Sequence, residues 1–234
     1  SYILIIKKDK AEMKMKVLII TGGNIDIPFA LDFLKKNEFE QIVVVDGGLD
    51  KVKEMQSLGA KIKINHIVGD FDTVNHEVLS EYEKDASIIV HEYQPEKDYT
   101  DTDIALKLGI NLAGAGGYIV ILGATGTRLD HVLANLQMLR LPLDAGIECR
   151  IVDKHNQIRM IKGYVCLNEK ISKYISLIPI SSELEEVTLR GFKYPLENHS
   201  VHLGESLCVS NEIVALPAEI NIKEGYALLI ESQD

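Results

Sequence analysis

Six aspartates stand where apolar runs give way to loops: Asp46, then Asp70 and Asp72, then Asp98 and Asp101, then Asp130. In an open α/β sheet the strand exits open onto one edge, where ligands bind. Two carboxylates about 4 Å apart repel by roughly 4 kcal/mol at an effective dielectric near 20, so a cluster of them calls for a cation. A divalent metal bridging such oxygens to a polyphosphate uses this arrangement, which points to phosphoryl transfer.

Each acid has its own setting. Asp46-Gly47-Gly48 follows a β-branched run at 42–45; the glycines let backbone approach a ligand, and the acid can bind a metal or a hydroxyl. An unliganded Asp-Gly turn has the same sequence. Gly22-Gly23-Asn24 has the same shape and the same two readings. It is not a G-x-G-x-x-G fingerprint, which disfavours a Rossmann dinucleotide site. In Gly69-Asp70-Phe71-Asp72 the acids are separated by one residue. An extended segment puts such a pair on one side, giving a D-x-D metal site; the alternative is Asp72 capping a helix that starts near Asn75.

Glu96-Lys97-Asp98-Tyr99-Thr100-Asp101 precedes a helical pattern. Asp98 or Thr100 suits the N-cap, while Asp101 and Asp103 suit the first turn. That role accounts for Asp103, leaves Asp101 open between helix-start acid and metal ligand, and leaves Lys97 able to reach a phosphate oxygen. Gly123-Ala124-Thr125-Gly126-Thr127-Arg128-Leu129-Asp130-His131 links an apolar run to a helix. Small residues there present N–H groups to an anion, and the helix adds its positive end. The Lys-Ser/Thr of a Walker loop is missing. Arg128 can grip a phosphate bidentately, Asp130 can orient it or bind nucleotide, and His131 reads as a helix-start residue. Ser210-Asn211 offers a hydroxyl and an amide to a polar heterocycle, or forms an ordinary turn. His199 and His202 read as surface or half-buried side chains.

Positioning these residues requires alternating elements. Strands are expected at 17–21, 42–45, 66–68, 87–90 and 118–122, with helices at 28–36, 50–58, 75–83, 100–112 and 130–139. This is the βαβ pattern of a mostly parallel sheet flanked by helices. Pro28 suits a first helical turn and Gly59 a helix stop. After Asp144 short β runs follow without long helices, at 148–152, 158–161, 174–180, 187–189, 207–209 and 226–230. They predict an all-β sandwich or barrel. The expected division is an extension at 1–14, an α/β domain at 15–144 and a β domain at 145–234.

With 234 residues, 46% hydrophobic and 26% charged, the chain falls in the globular range. A formal net charge of -10 argues against a duplex nucleic-acid partner, whose phosphates attract Lys and Arg. An anionic substrate then needs local positive charge, from metal ions or from Lys97 and Arg128. Cys149, Cys166 and Cys208 form no CxxC pair and read as reduced residues of a cytoplasmic protein. No His/Cys spacing suggests zinc, and no apolar run approaches the roughly 20 residues that span a bilayer. The opening apolar stretch is too short for a signal peptide and is followed by lysines. Met13 or Met15 is a candidate start.

In order, Asp-Gly-Gly, Gly-Asp-Phe-Asp-Thr, Glu-Lys-Asp-Tyr-Thr-Asp and Gly-Thr-Arg-Leu-Asp-His resemble the bacterial type of the thiamine pyrophosphokinase family. The resemblance continues through Tyr174-Ile175-Ser176-Leu177-Ile178-Pro179, Gly191-Phe192-Lys193-Tyr194-Pro195-Leu196 and Ser210-Asn211-Glu212. It implies transfer of the diphosphate of ATP to the hydroxyethyl oxygen of thiamine, yielding thiamine diphosphate and AMP. It also implies a homodimer with an α/β catalytic domain, a β-sandwich domain, and thiamine at the subunit interface. By the same resemblance Asp70, Asp72 and Asp101 hold Mg²⁺, with Asp46, Gly47, Gly48 and Asp98 in the site. Lys97, Thr127, Arg128 and Asp130 handle the nucleotide, and Ser210 and Asn211 lie near thiamine bound to the neighbouring subunit. Thr73 and Thr127 depart from the family's usual Ser and Gly or Ser, and there is no Trp to contact thiamine. Competing readings are another Mg-dependent small-alcohol kinase, a D-x-D nucleotide-sugar transferase, and a non-catalytic nucleotide or thiamine sensor.

Overall fold

The computed structural model describes residues 14–71, 76–93 and 99–234. Asp72, Lys97 and Asp98, and the residues before Lys14, lie outside them. The first part alternates as expected: β1 (Lys16–Ile20), α1 (Ile27–Lys36), β2 (Gln41–Val45), α2 (Gly48–Ser57), β3 (His66–Gly69), α3 (His76–Glu83), β4 (Ile89–Glu92), α4 (Asp101–Ala113), β5 (Tyr118–Leu122), α5 (Leu129–Met138). A short α6 (Arg140–Asp144) leads into β6 (Glu148–Val152). Then come β7 (Asn156–Ile161), β8 (Tyr164–Leu167), β9 (Tyr174–Pro179), β10 (Glu183–Arg190), β11 (Leu196–His202), β12 (Ala218–Asn221) and β13 (Ala227–Ser232).

The central strands form because their runs are apolar on both sides. Val17, Ile19, Val43, Val45, Ile119 and Ile121 share one core with Ala105 and Leu106 of α4. The alternate residues Leu18, Ile20, Val44, Ile67, Val120 and Leu122 share another with α1 and α2. Such burial stabilises by roughly 1.5–3 kcal/mol per large side chain. Helix ends follow the sequence signals. Asp26 accepts from Phe29 N (2.9 Å) at the start of α1, with Pro28 in its first turn, and Gly59 N closes α2 on Gln56 O (2.9 Å).

Nine strands make the large sheet in the order β4-β3-β2-β1-β5-β6-β7-β13-β9. From β4 to β6 it is parallel; β7, β13 and β9 continue it antiparallel. The chain builds outward from β1 to β4, then returns along α4, which packs on β1, β2, β3 and β5, to lay β5 on the other side of β1. The order therefore reverses between β1 and β5, the place where open sheets bind ligands.

The change to antiparallel falls between β6 and β7. The 153–155 link is too short for a parallel crossover, which takes a dozen or more residues. Asp153 Oδ1 closes that turn on the N–H groups of His155 and Asn156, both at 2.8 Å. A second sheet, β11-β10-β12-β8, packs on the β7-β13-β9 end around Leu177, Leu184, Val187, Ile220 and Leu229. The sandwich thus borrows one layer from the sheet that carries the α/β half. The strand expected at 207–209 is instead a turn in which Val209 N donates to Ser206 O. Only Cys208 is buried there, so the apolar alternation has no ladder behind it.

Candidate active site

The loops leaving β1, β2, β3 and β5 and the start of α4 surround one cleft of about 780 Å³ at the switch point. Asp46, Gly47, Asp70, Asp101, Thr127 and Arg128 all line it. So do Gly22, Gly23 and Asn24, the motif whose sequence left ligand and plain turn open.

The acids come from the β4-β3-β2 side. Asp46 leaves β2 with a positive φ of 39°, a conformation Asp tolerates better than most residues. Its N–H donates to Val68 O and its carbonyl accepts from Leu49 N, which locks the exit of β2 against that of β3. Phe71 is buried in the α1–α2 core with φ 59°. The segment between the two acids of the D-x-D is therefore not extended, and the same-side argument does not hold for it. Asp70 faces the cleft, whereas Asp72 lies outside the described residues. Asp101 opens α4, whose N-cap is Thr100, with Oγ1 accepting from Asp103 N at 3.2 Å. Asp103 pairs with Lys107 (3.2 Å), in keeping with a structural role.

The opposite side is backbone. Among the described residues, no N–H of residues 124–128 donates to a carbonyl or to a side chain. Arg128 occupies the N-cap of α5 without a side-chain cap bond, so the positive end of that helix faces the cleft uncapped. Arg128 grips Asp130 through Nη2 (2.6 Å) and Nε (3.3 Å). Arg128 draws the Asp130 carboxyl down to about 2, and Asp130 raises the guanidinium in turn. Both side chains are exposed, so the pair is weak and can be exchanged for a phosphate. His131, exposed in the first turn of α5, also borders the cleft.

The loops after β1 and β5 are fastened to each other. Thr21 N donates to Leu122 O (2.9 Å) and Asn24 N to Thr125 O (3.0 Å). A Cβ on Gly23 would lie 2.0 Å from Gly123 O, so this approach needs glycine. Gly48 is different from what its sequence suggested. It does not line the cleft, and a Cβ there would come within 2.5 Å of Ile20 O. It lets the start of α2 press on β1.

Ser210 and Asn211 are not at this cleft; they lie in the sandwich. Asn211 is buried, with Oδ1 accepting from Tyr194 N (3.0 Å) and Glu212 N (2.9 Å) and Nδ2 donating to Tyr194 O (2.8 Å). Ser210 is exposed with φ 58°. Lining residues that sequence reasoning did not single out include Tyr99, Thr102 and Asn135. Asn135 carries only a weak local signal, a polar residue on the loop-facing side of α5.

Among the described residues no group of three His, Cys, Asp or Glu side chains is arranged to hold a metal ion. The donors that share the cleft, Asp46, Asp70 and Asp101, are all hard oxygen ligands, the kind that suits Mg²⁺ rather than zinc or copper. Among the described residues no helix is long and apolar enough to cross a membrane.

Residues 32–151 match the family model for the thiamin pyrophosphokinase catalytic domain, and residues 162–227 match that for the thiamin pyrophosphokinase vitamin B1 binding domain. A thiamine pyrophosphokinase of Bacillus subtilis is 39% identical over 168 residues, covering 71% of this chain and 77% of the relative. A crystal structure of the thiamine pyrophosphokinase from Bacillus subtilis superposes with a TM-score of 0.80 at 30% identity, over 94% of this chain and 99% of that one. The thiamin pyrophosphokinase of Candida albicans shares the fold at TM-score 0.76 and 21% identity, over 94% and 90% of the two chains.

Proposed function

This chain belongs to the thiamine pyrophosphokinase family, and from that premise we propose how its own residues carry out the family's reaction, transfer of the diphosphate of ATP to thiamine with release of AMP. The polyphosphate lies across the switch point, on the N–H groups of residues 124–128 and the open end of α5. The N–H groups of that loop, unspent among the described residues and across the cleft from Asp46, Asp70 and Asp101, are the observation that carries the assignment.

Asp70, Asp72 and Asp101 would hold Mg²⁺, with Asp46 and Asp98 completing the acidic side. Bound there, the ion supplies positive charge to phosphate oxygens that the carboxylates alone would repel. Attack of the thiamine hydroxyl on the β-phosphorus leaves AMP, so negative charge grows on the α,β-bridging oxygen and on the transferred group. Arg128 leaves Asp130 to meet that charge, Lys97 meets it from the other side, and the loop amides are already oriented. Preorganised donors of this kind contribute about 2.7–4 kcal/mol each in a water-poor site. Thr127 and Asp130 border the nucleotide, and Gly47 lets it approach the backbone. One of the clustered carboxylates accepts the hydroxyl proton.

Thiamine is supplied with its second wall by a partner subunit in a homodimer. Leu129 and Leu133 on α5 are 71% and 59% exposed beside the cleft, and Leu207, Val209, Val214 and Leu216 are exposed around Ser210. Apolar surface of this extent on a soluble face supports an interface. Across it the Ser210 hydroxyl meets thiamine, while Asn211 holds the 194–212 contact that presents it. Three free cysteines support a cytoplasmic setting.

Incubating the protein with ATP, Mg²⁺ and thiamine and identifying the nucleotide product tests the assignment. AMP with thiamine diphosphate is expected. ADP would mark a small-alcohol kinase, a nucleoside diphosphate released from a sugar donor a glycosyl transferase, and tight binding without product a sensor.

A further inference from the structure

Asn135 lies seven residues beyond Arg128 on α5 and has no part in the scheme above. Its Nδ2 donates to Ala124 O at 2.8 Å, and the residue borders the cleft. Ala124 is buried at 3% exposure, so its carbonyl has little access to water. The next carbonyl, that of Thr125, is taken by Asn24 N at 3.0 Å. Two successive carbonyls of the loop are therefore tied down by donors from outside it, while the N–H groups of 124–128 remain unspent among the described residues.

We infer that Asn135 is a positioning residue for the polyphosphate, holding the Ala124 carbonyl against α5 so that this peptide turns the Thr125 N–H, and not the Ala124 oxygen, to the anion. In a trans peptide the C=O and the following N–H point in opposite directions. Fixing Ala124 O on Asn135 therefore fixes the direction of the Thr125 N–H. Released, that peptide can rotate, and a carbonyl oxygen brought toward the phosphates replaces an attraction with a repulsion. A small-residue loop has little else to prevent this: Gly123 (φ 79°) and Gly126 flank it. Leu and Asp have the same number and branching of side-chain heavy atoms as Asn but lack its donor. Gln keeps the donor on a longer arm.

The inference rests on the loop being the phosphate site, and the experiment separates the two. Steady-state constants for ATP and thiamine and thermal midpoints are measured for wild type, Asn135→Leu, Asn135→Asp, Asn135→Gln and Arg128→Ala. Loss of one neutral hydrogen bond in a positioning role is expected to raise KM for ATP about tenfold in Asn135→Leu and at least as much in Asn135→Asp. The KM for thiamine should stay within about twofold. Asn135→Gln should recover at least half of the loss. An ATP KM that stays at the wild-type value in folded Asn135→Leu overturns the inference. So does a lowered midpoint with a reduced active fraction and unchanged KM, which marks a structural residue. If Arg128→Ala raises the ATP KM and Asn135→Leu does not, the phosphate loop stands and only the role of Asn135 falls. If neither does, the loop reading itself fails.

Discussion

On one side of the cleft, β2, β3 and α4 deliver side chains: Asp46, Asp70 and Asp101. On the other, β1, β5 and α5 deliver peptide N–H groups and one guanidinium. Both sides address the same polyphosphate by opposite means. Carboxylates act only through a cation, and because Mg²⁺ keeps several waters in its shell a carboxylate can serve it through water as well as directly. Amides act directly, and their placement depends on backbone that must not move. The acidic side should therefore be sensitive to charge and forgiving of shape, and the amide side the reverse.

The largest expected effect is on charge. Asp70→Asn keeps the shape and removes a negative ligand, and turnover should fall on the order of a thousandfold with the thermal midpoint nearly unchanged. AMP formation measures it, and near-normal turnover would take Asp70 out of the scheme. The complementary change on the amide side is Gly23→Ala. It adds no charge, but its methyl would lie 2.0 Å from Gly123 O, so the loops after β1 and β5 must separate. A displacement near 1 Å costs about a hundredfold in rate, and the folded state should weaken as well. Equal tolerance of alanine at Gly23 and asparagine at Asp70 would erase the distinction between the two sides.

How much of each side could be read in the sequence follows the same division. Aspartates at strand exits announce themselves by type and position, and the strands beneath them are runs buried on both faces. The amide side was half legible: small residues between strand and helix mark a cradle, but nothing local says that Asn135 ties Ala124 O, a contact made eleven residues away. The reversal of strand order between β1 and β5 is a long-range fact without a local signature. Phe71 misled because alternation implies extended backbone, whereas core packing selects φ 59°. In the sandwich, β11 (Leu196–His202) escaped notice because nearly all of it is polar or exposed, and β8 and β12 are only four residues each.

A smaller effect should follow at Asp130. Its depressed carboxyl stays ionised at pH values below the usual carboxylate range, and its bond to Arg128 is lost only as the pH falls through about 2. Between pH 5 and 8 that pair does not titrate. Asp130→Asn should therefore tighten ATP binding by about threefold to fivefold, because Arg128 no longer has a partner to leave, and by the same factor at both ends of that range. A ratio of ATP KM values that changes with pH would mean that Asp130 exchanges a proton in the working site.

The smallest expected effect lies beneath the acidic side, where His66 of β3 faces His91 of β4 with Nδ1 and Nε2 3.1 Å apart. Burial lowers the pKa of both, and for His66 the neighbouring His91 lowers it further. With folded values below the unfolded one, the unfolded chain binds more protons in acid. Stability from keeping these rings neutral is therefore complete above the unfolded value near 6.5 and declines as the pH falls below it. Each kcal/mol so lost lowers the midpoint of a chain this size by roughly 2–4 °C. Hydrogen exchange at pH 7.5 and 5.5 should show the amides of β3 and β4 opening first in acid, ahead of those of β1 and β5. His91→Gln should remove only part of that pH dependence, the share of its own ring and of its repulsion on His66, and leave the share that burial of His66 causes. If β1 and β5 loosen in step with β3 and β4, acid acts on the sheet as a whole and the two sides do not differ in this respect.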